Sequence, residues 1–402
     1  MMLREDLKKI VSMQRKDLSL FEIGIPREKT EEIDTETRFA IIISGIRRCG
    51  KSTLLRQLAK RVDGFYYFNF EDPRVTAFEV SDFEKLEEAF VNEYGHQEYY
   101  FFDEVQNISR WELFVRSLLD GGKHVLITGS NASLLSKELG TKLTGRHLTY
   151  ELFPFSFKEF LRLTNDKPNK ESLEKYLIMG GFPEYLKSKK VEVLQELLTD
   201  ILVRDIAVRY GIKNLKILKQ LAIYLITNTG KEFSYNSLKE IFKLGSINSA
   251  IAFISYFEDA YLLFTVPRFS YSLKKQLVNP KKCYSIDNGL SVANSASFSE
   301  DKGRMLENLV FINLRRKYRD IFYFKEKGEC DFIVKEKNKI TRAVQVCYEI
   351  SDENRDREIN GLLEAMERFS LKEAVIVTFD QEDHLKINNK TINIIPAWKW
   401  LD

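Results

Sequence analysis

The sequence predicts an α/β protein built on a parallel sheet with a phosphate-binding loop, and two stretches carry that expectation. The first is "IIISGIRRCGKSTLLRQL", residues 41 to 58, where an apolar run meets the spacing Gly, four residues, Gly-Lys-Ser. The second is "YYFFDE", residues 99 to 104, another apolar run, ending on paired carboxylates. Short, nearly unbroken apolar runs are the pattern of strands buried on both faces.

The elements follow in order. Residues 1 to about 35 are polar with a weak helical period early on, and "PREKTEEIDTETR" reads as a charged surface arm. "FAIIIS" is the first strand, and the next segment places Leu54, Leu55, Leu58, Ala59 and Val62 on one helical face. "FYYFNFED", "YYFFDE", "HVLITGS" and "HLTYELF" supply strands two to five, most of them separated by helix-like segments. After Pro154 the periodicity is mainly helical to about residue 270. Within it, "SYNSLKEIFKLGSINSAIAFISYFEDAYLLFTVPRF" reads helix, turn, helix and strand, the order of a winged helix. From about Lys281 the α/β pattern returns. The expected division is an arm over 1–35, a P-loop domain over 36–160, a helical and winged-helix domain over 161–275, and an α/β domain over 276–402.

A chain of 402 residues, 44% hydrophobic and 30% charged, suits a soluble multidomain protein. Its net charge of +3, from 62 basic and 59 acidic residues, argues neither for nor against nucleic acid. Cys49, Cys283, Cys330 and Cys347 are scattered, without a pair at metal-ligand spacing, as expected of reduced cytosolic thiols. The N-terminus lacks the apolar core of a signal peptide, and no run approaches the roughly 18 apolar residues of a membrane span. The expected location is the cytoplasm.

Gly45, Ile46, Arg47, Arg48, Cys49, Gly50, Lys51, Ser52 and Thr53 form the loop between a strand and a helix, the context that makes the motif credible. Its glycines let the backbone wrap phosphate oxygens, and its amides and the helix N-terminus supply positive potential. Lys51 is expected to reach the β- and γ-phosphates of ATP, and Ser52 to ligate Mg²⁺. Asp103 is expected in the Mg²⁺ shell, and Glu104 as the base that polarises the attacking water. After the next strand, Ser130 or Asn131 could hold that water, although Gly-Ser-Asn is also ordinary turn chemistry. Arg146, before the fifth strand, is a candidate finger for transition-state charge, in cis or from a second copy of the chain.

The stretches "GIRRCGKST", "YYFFDEVQN", "ITGSNASLLSKELGTKLTGR", "YELFPFSFKEFL" and "GGFPEYL" occur in this order. With them the chain resembles the bacterial and archaeal AAA-superfamily ATPases that carry a C-terminal domain of unknown function related to restriction endonucleases. The likeness is most specific over residues 38 to 185. It implies an AAA-type core, a winged-helix region and a nuclease-like tail, and it makes the arginine pair Arg47 and Arg48 usual for the loop.

Restriction-type nucleases need an Asp, then an acid, one residue and Lys on the following strand, often with a Glu from an earlier helix. Here Glu307 lies in a helical stretch and Asp331 begins a strand, but the triplet is Gln345, Val346 and Cys347. A thiol cannot replace an ammonium, so cleavage is not expected, although Glu329 stands close to Asp331. The second helix of the winged-helix segment offers only Asn248 toward bases, while "RFSYSLKKQLVNPKK" is basic with aromatics. The expected partners are ATP with Mg²⁺, DNA or a protein, and a second copy of the chain if Arg146 acts in trans.

Overall fold

The computed structural model describes residues 2–20, 23–130, 145–295 and 301–402. They divide into two compact units, Met1–Phe153 and Pro154–Asp402.

The first unit begins with helix α1 (Arg4–Leu20), followed by β1 (Ala40–Ser44), α2 (Lys51–Ala59), β2 (Tyr66–Asn69), α3 (Phe83–Tyr94), β3 (Tyr99–Asp103), α4 (Trp111–Asp120), β4 (His124–Gly129) and β5 (His147–Glu151). The strands form one sheet in the order β2-β3-β4-β1-β5, with every pairing parallel. All five residues of β1 are buried, as its unbroken apolar run requires. The aromatic runs of β2 and β3 pack Tyr66, Phe68, Tyr100 and Phe102 against Phe83 and Phe90 of α3.

The N-terminal segment is more than a surface arm. Leu7, Ile10 and Val11 of α1 enter the same core as Phe68 and Phe90. Their spacing of three and four places them on one helical face, and long polar neighbours cover the opposite one. The side chain of Gln14 donates to the Asn69 carbonyl at 3.1 Å and accepts from the Asn69 N–H at 2.9 Å, extending the edge of β2.

Parallel pairing gathers the carboxyl ends of the strands along one edge, where ligand crevices form in such sheets. Ser44, Asp103 and Gly129 therefore lie together. Arg146 precedes β5 and stands at the other edge, where its carbonyl accepts the Ala40 N–H at 3.0 Å.

The second unit opens with helices α5 (Phe157–Thr164), α6 (Lys170–Met179), α7 (Pro183–Ser188), α8 (Glu192–Asp200) and α9 (Leu215–Thr227). Next come β6 (Glu232–Phe233), α10 (Tyr235–Ile241), α11 (Ile247–Asp259), β7 (Leu263–Pro267), α12 (Leu273–Val278) and β8 (Lys281–Ser285). The three strands form an antiparallel sheet in the order β6-β8-β7. Helices α13 (Asn288–Asn294) and α14 (Lys302–Lys317) lead into β9 (Ile321–Lys325), β10 (Glu329–Glu336), β11 (Lys339–Val346), α15 (Arg355–Arg368), β12 (Glu373–Thr378), β13 (Asp383–Ile387), β14 (Lys390–Pro396) and α16 (Ala397–Trp400). Their six-stranded sheet runs β13-β14-β12-β11-β10-β9. It is mixed, with β11, β12 and β14 parallel and the hairpins antiparallel.

The stretch "GGFPEYL" is tied into this unit by Asp287, which caps α13. The buried carboxylate of Asp287 accepts the Gly181 N–H at 2.6 Å and the Leu290 N–H at 2.9 Å. Burial pushes this carboxyl up to about 6. Asp287→Ala is expected to destabilise the unit by about 2 kcal/mol, since a cap is lost and buried donors are left unpaired. Urea denaturation followed by circular dichroism checks it.

Candidate functional site

Loop residues 45–50 join β1 to α2 and are held from behind. Gly45, at φ 156°, passes so close to the Leu152 carbonyl that a Cβ there would lie 2.1 Å from its oxygen, which excludes any side chain. The Cys49 thiol fits this narrow space, fully buried, and donates to the same carbonyl at 3.4 Å. Burial raises its pKa, so it is a packed thiol and not a nucleophile. Ile46 is buried beside it. Arg47 pairs with Glu71 at 3.1 Å, and Arg48 takes a left-handed conformation at φ 61°. Thr53 occupies the first turn of α2, partly exposed. The N-terminus of α2 has no side-chain cap, so its amides are presented to an incoming anion.

Lys51, only 5% exposed, bends back over the loop. Its ammonium donates to the carbonyls of Gly45 at 3.1 Å and Ile46 at 3.2 Å, and stands 3.7 Å from the Glu104 carboxylate. Burial works against the charge, but Glu104, Cys49 and Asp103 outweigh it and hold the Lys51 pKa above the ordinary lysine value.

Asp103 ends β3 as a buried carboxylate. It accepts from the hydroxyls of Ser52 at 3.1 Å and Tyr67 at 3.2 Å, and from Thr128 of β4. Burial, then the adjacent Glu104 charge, raises its pKa. A buried acid whose charge is penalised, one hydrogen bond from a serine hydroxyl, is a hard oxygen pair that fits a divalent cation.

Glu104 sits in the left-handed region at φ 53°, a strained conformation for a residue with a side chain. Its N–H donates to Thr128 Oγ1 at 3.0 Å, and the Gln106 amide holds its carboxylate. Thr128 thus braces both acids from the neighbouring strand, a role that a threonine inside an apolar run does not announce in sequence.

Ser130 is buried at the end of β4. Asn131 lies outside the described residues. Arg146 is not brought to the loop. It is paired with Asp120 at 2.5 Å at the opposite end of the sheet, one five-residue strand or roughly 16 Å away at about 3.3 Å per residue. Of the two alternatives left open for Arg146, in cis or from a second copy of the chain, this placement disfavours the first, because parallel pairing puts the residue before β5 at the amino edge.

A second cluster of charges lies in the second unit. Asp331 of β10, Glu307 of α14 and Glu329 converge, and Lys282 of β8 fills the space between them. Its ammonium is 2.9 Å from Asp331, 2.9 Å from Glu329 and 3.2 Å from Glu307. Tyr284 donates to Glu307 at 2.6 Å. Burial, then the Asp331 charge, pushes Glu307 up to about 7. Burial opposes the Lys282 charge, and Tyr284 with the three acids overcomes it, so the ammonium is held well above the ordinary lysine value. Gln345 is committed elsewhere: its carbonyl accepts the Asp331 N–H at 3.1 Å and its amide donates to Glu358 at 2.6 Å. Burial raises the Cys347 thiol to about 11. The ammonium beside Asp331 thus comes from another strand, not from the triplet after it. In sequence Lys282 stands within "NPKKCYS", which looks like one more exposed basic turn. Among the described residues, no three or more His, Cys, Asp or Glu side chains are grouped to hold a metal ion.

The parallel sheet order and the loop with its paired acids define a P-loop domain of the AAA class, and a model described as an AAA domain (AAA_14) matches residues 37–161. A domain of unknown function (DUF8612) matches residues 170–301. The uncharacterized protein MJ1544 of Methanocaldococcus jannaschii is 36% identical over 393 residues, covering 89% of this chain and 87% of its own. The chain belongs to its family. An uncharacterized protein of Haemophilus influenzae is 29% identical over 387 residues, covering 91% of this chain and 95% of its own. AMPPCP-bound DnaA from Aquifex aeolicus aligns with 62% of this chain and 88% of its own at 17% identity, with a TM-score of 0.30. Among the described residues no helix is long and apolar enough to cross a membrane.

Proposed function

We propose that this protein binds ATP with Mg²⁺ at residues 45–53 and hydrolyses it. The observation that carries the reading is the convergence of Lys51, Ser52, Asp103 and Glu104 at the carboxyl edge of β1 and β3, in contact or one bond apart. ATP phosphates would lie across the loop amides and the N-terminus of α2. Lys51 would exchange its two carbonyl partners for the β- and γ-phosphates, whose charge grows toward the transition state. Ser52 and Asp103 would hold Mg²⁺, which supplies charge neutralisation between the phosphates. Glu104, released from Lys51, would accept a proton from the attacking water. Arg146 is left the trans role, on a second copy of the chain.

Hydrolysis would serve to gate the C-terminal unit on a nucleic-acid or protein partner. The β6-α10-α11-β7-α12-β8 order, with β8 between β6 and β7 in the sheet, supports a winged-helix reading. Its second helix exposes Ile247 and Ile251, while the segment between β7 and β8 exposes Lys274 and Lys275. Phosphate contacts would come from that segment. The α14-β9-β10-β11-α15-β12 order supports a restriction-endonuclease-like reading of the tail, which we propose is non-catalytic.

The test is multiple-turnover phosphate release with Mg²⁺, repeated with double-stranded DNA, single-stranded DNA and RNA. Turnover that disappears in Lys51→Ala is expected. Turnover that persists in that variant, or its absence from the wild type under every condition, would sink the reading. Stimulation by one nucleic acid would identify the partner class.

A further inference from the structure

We infer that Arg27, in the charged segment before β1, is a positioning residue that aims the Gly50 amide into the phosphate cradle. The inference rests on the nucleotide-site reading above.

Arg27 is 2% exposed although it belongs to a stretch rich in charges. Its guanidinium donates to two backbone carbonyls, that of Cys49 in the loop at 2.7 Å and that of Phe153 beyond β5 at 2.7 Å. Burying a guanidinium is unfavourable unless its donors are satisfied, so this arrangement is specified. The segment is itself held by Gln57 of α2. The Gln57 carbonyl accepts the Arg27 N–H at 3.0 Å, and its amide donates to Ile23 at 3.1 Å and to Ile25 at 2.8 Å. Arg61, one turn further along, donates to the Thr30 carbonyl at 2.8 Å.

The consequence lies in the Cys49–Gly50 peptide. In a planar trans peptide the carbonyl of one residue and the N–H of the next point in opposite directions. With the Cys49 oxygen gripped by Arg27 from behind the loop, the Gly50 N–H is turned toward the side where phosphate would lie. Gly50 has φ 99°, and a Cβ there would approach Arg27 Nη1 to 2.9 Å, so this position must be glycine. Glycine is also the residue whose flanking peptide most readily flips. A flip would aim the Cys49 oxygen at the phosphates and replace attraction with repulsion. Arg27 removes that alternative without touching the ligand, because its guanidinium faces two carbonyls across the loop backbone.

The test titrates a fluorescent ATP analogue into wild type, Arg27→Lys and Arg27→Met, with thermal melts of each free protein. Loss of one well-aimed amide–phosphate bond is expected to weaken ATP and ADP binding roughly tenfold to a hundredfold in Arg27→Met. Arg27→Lys, able to reach one carbonyl only, is expected to fall between. Binding of AMP, which lacks the β- and γ-phosphates, is expected to change less than about threefold, whereas a merely unfolded variant would lose all three ligands. If Arg27→Met does not fold, [¹⁵N]glycine-labelled wild type gives an independent readout: the Gly50 amide resonance is expected to move on saturation with ADP. Unchanged ATP affinity in both variants, or a Gly50 resonance that stays in place while ADP binds, overturns the inference and leaves the ATPase reading intact. A wild type that binds no nucleotide overturns both.

Discussion

Glu104→Gln is expected to cut steady-state phosphate release by roughly 10²–10⁴-fold while nucleotide still binds. Glutamine keeps the shape and can still meet the Gln106 side chain, but it cannot accept a proton from water. Glu104 lies 3.7 Å from the Lys51 ammonium, so removal of its charge also frees Lys51 from a counter-charge. The variant is therefore expected to bind ATP at least as tightly as the wild type, by the Coulomb attraction that no longer competes with phosphate. A fluorescent-analogue titration beside a single-turnover assay separates the two effects. A variant that hydrolyses within about tenfold of wild type would show that another group activates water.

Lys282→Met is expected to destabilise the second unit by about 3–5 kcal/mol, as removal of one partner from a buried ion cluster does. Methionine nearly fills the volume, so the loss is electrostatic: Glu307 and Asp331 would remain close together with no cation between them. The pH dependence gives the signature. The Glu307 pKa in the folded wild type, about 7, exceeds its ordinary 4.5. Its contribution to stability is therefore present in full below the ordinary value and is lost as pH rises through about 7. Without the Lys282 charge, which lowers it, the Glu307 pKa rises further, so the variant is expected to approach wild-type stability near pH 5 and to be weakest near pH 8. Glu307→Gln on the same background is expected to restore part of the loss at pH 8. Urea melts across this range check it, and a variant equally destabilised at both pH values would assign Lys282 a packing role.

Most of the first unit is legible in its sequence because local pattern and tertiary position agree there. Strands β1 to β4 of the parallel sheet are apolar runs, three of them bounded by chemistry that terminates them: Gly45 after β1, Asp103 and Glu104 at β3, Gly129 and Ser130 at β4. Burial on both faces leaves no alternation to misread. Legibility ends where a residue's meaning depends on what the chain brings to it. Arg27 and Lys282 look like surface charges because sequence neighbours say nothing of carbonyls 22 and 126 residues away or carboxylates 25 to 49 residues away. Arg146 is easily read as close to the site because it precedes a sheet strand, but parallel direction sends it to the far edge. The helix at the N-terminus hides its apolar face among lysines and arginines, with Leu7, Ile10 and Val11 buried midway along it.

The inward-turned Lys51 would give the proposed phosphate loop a selectivity of its own. With its ammonium already satisfied by the Gly45 and Ile46 carbonyls, Lys51 would offer a passing sulfate or inorganic phosphate little that bulk water does not. Such an ion would have to break two hydrogen bonds and a carboxylate contact to gain one charged partner. A polyphosphate spans the amides of the loop and the lysine together, so several contacts offset the same rearrangement. On the proposed nucleotide reading, this arrangement would act as a filter on chain length, favouring a triphosphate over small anions that can reach only part of the site.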